Sequence, residues 1–129
     1  MNKNSEKTIL VVDDEELITG ALAKKLTSAG YNVLIQRNGE DGLRVALEDH
    51  PDLILLDIVM PRMDGITFLD KLREDEWGNN VPVIILTNLE RGEQVKKGEE
   101  RGVYDYLVKT NWSLSDVLDK VNEAVWPKS

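Results

Sequence analysis

The chain has 129 residues, 41% of them hydrophobic and none of them cysteine, and its 16 basic and 24 acidic residues leave a formal net charge of −8. Domains cluster near roughly 100–150 residues, so the length suits one domain, and the apolar fraction is that of a chain with a core. The lack of cysteine excludes disulfides, thiolate–zinc sites and cysteine nucleophiles together, and the negative balance argues against nucleic acid and anionic membrane as direct partners.

The stretch 1–7, Met-Asn-Lys-Asn-Ser-Glu-Lys, is polar and lacks the apolar core of a signal peptide, so it reads as a tail. No apolar run approaches the ~20 residues of a membrane span. Both observations predict a cytoplasmic protein without membrane insertion. Thr8 to Val12 then forms a β-branched and aliphatic run that ends in Asp13-Asp14, a buried strand with acids at its carboxyl end. Leu17, Ile18, Ala21, Leu22, Lys25 and Leu26 follow helical spacing, and Gly30 stops that helix in the role of C′. Tyr31 to Gln36 reads as a strand. Asn38 or Gly39 starts a second helix carrying Leu43, Ala46 and Leu47, which ends before Pro51.

Leu53-Ile-Leu-Leu is a run of four consecutive aliphatic residues, a strand buried on both faces, yet it ends on Asp57. Pro61 and Asp64-Gly65 then force a loop. Ile66, Leu69 and Leu72 mark a third helix closed by Gly78-Asn79-Asn80, and Val83 to Leu86 is a strand ending on Thr87. The segment from Glu90 to Arg101 is dense in charge and holds Gly92 and Gly98, which predicts a weak, mobile helix with a solvated face. Val103 to Val108 is a fifth strand ending at Lys109. Leu114, Val117, Leu118, Val121 and Val125 make a last helix that Pro127 stops. Strands alternating with helices imply an α/β fold: a parallel five-stranded sheet, doubly wound, with right-handed crossovers.

In a parallel sheet the carboxyl ends of all strands gather at one edge, where open α/β sheets place their ligands. Asp13, Asp14, Asp57, Thr87 and Lys109 all fall there. Each has a plain structural alternative: Asp57 as a solvated strand end, Asp13 or Asp14 and Thr87 as helix caps, Lys109 as a surface lysine. Together they make a chemical set. Three crowded carboxylates repel one another, and a hard divalent cation with oxygen ligands, Mg²⁺ by preference, relieves that repulsion. A cation, a lysine and a hydroxyl supply the electrostatics of phosphoryl transfer, with Asp57 as an acyl-phosphate nucleophile.

The combination Val11-Val-Asp-Asp-Glu15, Leu55-Leu-Asp-Ile-Val-Met-Pro-Arg-Met-Asp-Gly65, Ile85-Leu-Thr87 and Tyr104-Asp-Tyr-Leu-Val-Lys109 resembles the receiver domain of two-component response regulators, over about Thr8 to Val125. The resemblance implies a flavodoxin-like (βα)5 fold of strand order 2-1-3-4-5. It implies a polar tail over 1–7, a receiver domain over 8–126, a short tail over 127–129 and no output domain. It makes Asp57 the acceptor of a phosphoryl group from a histidine kinase or a histidine phosphotransfer protein. Asp14 and Asp57 would ligate Mg²⁺ directly, with the Val59 backbone carbonyl, and Asp13 through water. Lys109 would pair with the phosphoryl oxygen, while Thr87 and the aromatic Tyr106 form the switch. The face around the fourth helix, fifth strand and fifth helix would then meet a downstream protein that the sequence does not identify.

Some positions depart from the family pattern. Thr110 follows the lysine where proline is usual, so a trans bond is the default. Asn88 is larger than the usual residue after the hydroxyl. Val59 and Leu89, two residues beyond Asp57 and Thr87, are apolar and unable to orient a hydrolytic water, which predicts slow self-dephosphorylation. A non-phosphorylated scaffold is the alternative: Thr110, Asn88 and Leu89 favour it, and the intact set of Asp13, Asp14, Asp57, Thr87 and Lys109 disfavours it. A magnesium-dependent aspartyl phosphatase of the haloacid dehalogenase type wants a second acid where Val59 stands, so the chain is not expected to act as an enzyme on other substrates. His50, the lone histidine, reads as a loop residue. Trp77 and Trp126 read as covers of core edges, and Trp112 as a fluorescent reporter near Lys109.

Overall fold

The computed structural model describes residues 3–88 and 93–127. Five strands, β1 (Thr8–Val12), β2 (Asn32–Gln36), β3 (Leu53–Leu56), β4 (Val83–Thr87) and β5 (Asp105–Val108), form one parallel sheet of order β2-β1-β3-β4-β5. Five helices alternate with them: α1 (Glu16–Ser28), α2 (Gly39–Asp49), α3 (Gly65–Glu74), α4 (Glu93–Glu100) and α5 (Leu114–Val125). The parallel sheet is the one that the residue pattern predicts, and its order is the flavodoxin-like one that the family resemblance implies.

The strand alternation splits the core into two layers. Leu10, Val12, Ile54, Leu56 and Ile85 face one cluster with Val45 and Ala46 of α2 and Phe68, Leu69 and Leu72 of α3. Ile9, Val11, Leu53, Leu55 and Ile84 face the other, with Leu22 and Leu26 of α1 and Val117 and Val121 of α5. All four residues of β3 are buried, as a central strand covered on both faces requires. On the first face Gly98 lets α4 approach the sheet, for a Cβ there would lie 2.9 Å from Ile85 Cδ1. The short α4 therefore has a packing reason for the glycine that its charge-rich sequence conceals. Leu89 and the start of the charged segment lie outside the described residues.

Local chemistry sets the helix limits. Asn38 caps α2, its Oδ1 accepting from Asp41 N–H at 2.8 Å, and Gly30 takes the left-handed φ of 101° just beyond α1. β2 begins at Asn32, one residue later than expected, and three boundaries differ by more. α3 ends at Glu74, ahead of Gly78-Asn79-Asn80, because Asp75 turns extended and its Oδ2 accepts from Gly78 N–H at 2.8 Å. β5 begins at Asp105, since Val103 N–H is directed back to Gly98 O at the end of α4. Within the expected tail a 3-10 turn spans Lys3–Glu6. There Asn4 Nδ2 donates to Ala29 O at 2.7 Å and Trp126 Nε1 donates to Asn4 Oδ1 at 2.8 Å. His50 takes φ of 50° to end α2 and stacks on Trp77 with ring centroids 4.3 Å apart. Trp77 packs against the first core layer. No helix among the described residues is long and apolar enough to cross a membrane.

Arg73, near the end of α3, ties three segments together. Its Nε donates to Arg101 O at 2.9 Å, Nη1 to Gly78 O and Val81 O at 2.8 Å each, and Nη2 to Gly102 O at 3.1 Å. No carboxylate pairs with it among the described residues. Truncation would leave partly buried carbonyls short of donors, so Arg73→Ala should cost about 2–3 kcal/mol. Arg73→Lys, with three donors on one atom, should recover less than half. The midpoint of urea unfolding measures both; a wild-type midpoint in Arg73→Ala would show that water replaces the clamp without cost.

Candidate functional site

The carboxyl edge of the sheet assembles the site. β1 and β3 run in register, with Val12 opposite Leu56, so the residues that follow each strand emerge side by side. Asp57 N–H donates to Val12 O at 3.0 Å, and Asp13 N–H donates to Gln36 O at 3.1 Å, extending the ladder past the strand ends. Behind Asp57 the chain must turn tightly into α3, and Gly65 makes that possible. A Cβ at Gly65 would lie 2.6 Å from Asp57 O and 2.7 Å from Ile58 Cα, while its N–H donates to Ile58 O at 2.7 Å. Asp64 caps α3 through Thr67 N–H at 2.9 Å.

Asp13 and Asp57 are 2% and 4% exposed, and Thr87, ending β4 beside them, is 1% exposed. Asp14 faces solvent. One carboxylate oxygen from each of Asp13, Asp14 and Asp57 lies within 4.8 Å of the others. Lys109, directly after β5, sends its ammonium across the end of β4 into this group. Its Nζ is 2.6 Å from Asp13 Oδ2, 2.8 Å from Glu15 Oε1 and 3.2 Å from Asp57 Oδ2. No cis peptide occurs among the described residues, so the bond after Lys109 is trans, followed by a 3-10 turn over Lys109–Asn111.

Electrostatics follow from burial and this one cation. Burial pushes the Asp13 carboxyl above its ordinary range, against the pull of Lys109 and of Glu15 N–H, which donates to Asp13 Oδ1 at 3.0 Å. Burial alone would lower the Lys109 pKa, but the carboxylates of Asp13, Glu15 and Asp57 outweigh it and hold the ammonium well above its usual range. Tyr106 lies on β5 opposite Ile85 and packs on the first core layer. Burial raises its phenol pKa, and the charge of Asp57 adds to the effect.

The donor set suits a hard cation. Asp13 Oδ2 is buried, and the Lys109 ammonium lies 2.6 Å from it. A buried carboxylate oxygen of this kind, beside an exposed Asp14, fits a divalent ion that keeps several waters. Val59 N–H donates weakly to Asp57 Oδ1 at 3.4 Å, and Val59 is 60% exposed. Leu17, 91% exposed, stands at the start of α1.

The edge thus brings Asp13, Asp14, Asp57, Thr87 and Lys109 together as the sequence pattern suggests. Asp13 accepts from Glu15 N–H just ahead of α1, but the N-cap position belongs to Glu15 and no side chain caps that helix, so neither Asp13 nor Asp14 is its cap. The residue that sequence reasoning missed is Glu15, whose carboxylate shares Lys109. Its signal was its place as third acid in the run Asp13-Asp14-Glu15. Trp112 packs on the second core layer, and its Nε1 is buried without a hydrogen-bond partner among the described residues.

The sequence and fold have many relatives. The chain is 43% identical over 111 residues to the response regulator PleD of Caulobacter vibrioides, covering 85% of this chain and 24% of that protein. The structure of the Francisella response regulator 1452 receiver domain is 31% identical with a TM-score of 0.84, covering 92% of this chain and 96% of that one. The Borrelia burgdorferi CheX–CheY–BeF3–Mg²⁺ complex is 30% identical with a TM-score of 0.84, covering 95% and 90%. The chain spans less than half the length of these curated relatives, from 24% to 48%. The response regulator receiver domain family matches residues 9–122, and with these relatives and this sheet-edge site the chain belongs to that family.

Proposed function

We propose that the chain, as the receiver domain spanning 8–126, is a phosphoacceptor in two-component signalling and that Asp57 carries the phosphoryl group. The observation that supports this most is the buried Asp57 carboxylate held 3.2 Å from the Lys109 ammonium at the edge shared with Asp13 and Asp14. An oxygen of Asp57 attacks the phosphorus of a phosphohistidine on a kinase or phosphotransfer protein. The P–O bond forms as the P–N bond breaks, and the imidazole leaves with the electron pair. Lys109 offers its positive charge to a phosphoryl oxygen, and the Thr87 hydroxyl, at the end of β4, offers a donor. Tyr106, two strands from β3, would respond to the charge at Asp57 as the switch.

Asp13, Asp14 and Asp57, with the Val59 carbonyl, would hold Mg²⁺, which when bound neutralises charge on the phosphoryl oxygens. The Mg²⁺ and BeF3 of the Borrelia relative support that assignment. A cytoplasmic location fits this chemistry, since the phosphodonor kinases act there. The family is a signalling domain, and the turnover proposed for this chain is confined to its own acyl phosphate. Output passes to an unidentified partner protein through the surface around α4, β5 and α5.

Incubation with Mg²⁺ and acetyl phosphate should add the mass of one phosphoryl group to the wild type and none to Asp57→Asn, as read by intact mass spectrometry. No gain in the wild type would favour the scaffold reading. The acyl phosphate should also be long-lived, because Val59 and Leu89 offer no polar group to orient water. Val59→Asn combined with Leu89→Glu should shorten its half-life several-fold, and an unchanged half-life would remove these positions from control of hydrolysis.

A further inference from the structure

Lys109 already has as many claimants as donors. An ammonium carries three N–H donors, and three carboxylates already lie within 3.2 Å of Nζ: Asp13, Glu15 and Asp57. A phosphoryl group arriving at Asp57 brings further acceptor oxygens, so one existing contact must yield. Asp13 and Asp57 are poor candidates to yield. Both are buried at the ends of β1 and β3, and loss of the cation would leave a buried, uncompensated charge. The Glu15 side chain is 42% exposed and can be rehydrated in place. Its contact with Nζ, at 2.8 Å, is nonetheless shorter than that of Asp57.

Glu15 has no structural duty that accounts for this position. It is the N-cap residue of α1, yet its side chain makes no capping hydrogen bond, and its backbone N–H is met by Asp13. Its carboxylate sits between Lys109 and Asn88, whose Nδ2 is 3.5 Å from the same Oε1, at the outer limit of a hydrogen bond. One exposed acid thereby touches the residue after β5 and the residue after β4.

We propose that Glu15 is a restraining residue of the phosphoacceptor site: it holds Lys109 in a resting contact that the incoming phosphoryl group must displace, and so slows phosphorylation of Asp57. The inference rests on the phosphoacceptor reading of Asp57. During transfer the new bond is Asp57 oxygen to phosphorus and the broken bond is phosphorus to the donor, whose electron pair leaves with it. Glu15 and Lys109 form and break only their ion pair. In the phosphorylated chain Glu15 returns to water while Lys109 faces the phosphoryl oxygen.

Two readouts test this on the whole chain. With acetyl phosphate and Mg²⁺, Glu15→Gln should raise the rate constant of phosphorylation by about fivefold, the scale of one partly exposed ion pair. Glu15→Asp keeps the charge but retracts it by one methylene, and should fall nearer to Glu15→Gln than to wild type. In the unphosphorylated chain, the ¹H–¹⁵N resonance of the Lys109 ammonium should shift in both variants, which a purely structural role at the helix start would not produce. A wild type that accepts phosphate while Glu15→Gln reacts at the same rate or more slowly overturns the inference and leaves the phosphoacceptor reading intact. A Glu15→Asp rate equal to wild type overturns restraint through contact, since charge alone would then suffice. Failure of every form to gain mass overturns the phosphoacceptor reading itself, and the inference with it.

Discussion

One ammonium inside a ring of carboxylates is the constraint on which this molecule turns. Asp13 and Asp57 are buried acids on neighbouring strands, and charges so placed are costly unless a cation stands beside them. Lys109 supplies it from β5, with the end of β4 between. The ion pairs therefore tie the end of β5 directly to the ends of β1 and β3, which the hydrogen-bonded ladder links to β5 only through β4. Asp13 shows what the arrangement holds in check: burial raises its pKa in spite of the lysine.

Packing and chemistry are kept in separate parts of each strand. The bodies of β1, β3 and β4 are almost wholly apolar and feed both core layers, while the residues that bear charge or hydroxyl begin where the strands stop. Rigid strands thus fix the roots of Asp13, Asp57 and Thr87, as a site demanding sub-ångström placement requires. Gly65 belongs to the same logic, because only the absence of a side chain lets α3 start against the backbone of Asp57.

The sequence was most readable where period and position agree. Val-rich and Leu-rich runs ending in acids announce β1 and β3, and parallel topology then brings Asp13, Asp14, Asp57, Thr87 and Lys109 to one edge without knowledge of any distance. Boundaries set by single side chains were not readable. Asp75 closes α3 early by accepting from Gly78 N–H, a bond that no periodicity encodes, and Asn4 ties the N-terminal turn to Ala29 across the fold. Glu15 escaped for a similar reason. Its neighbours in sequence make it look like a helix start, and only the arrival of Lys109 from 94 residues away gives its side chain a second meaning.

The Arg73 clamp has a consequence for how this chain can diverge. Its four acceptors are main-chain carbonyls of Gly78, Val81, Arg101 and Gly102. A carbonyl is present whatever side chain hangs from it, so the turns after α3 and after α4 can change many of their residues while keeping their anchor. Freedom is concentrated in the acceptors and obligation in the donor. Evolution can rewrite the outer loops of this face, and with them the surfaces they offer, as long as one guanidinium stays in place.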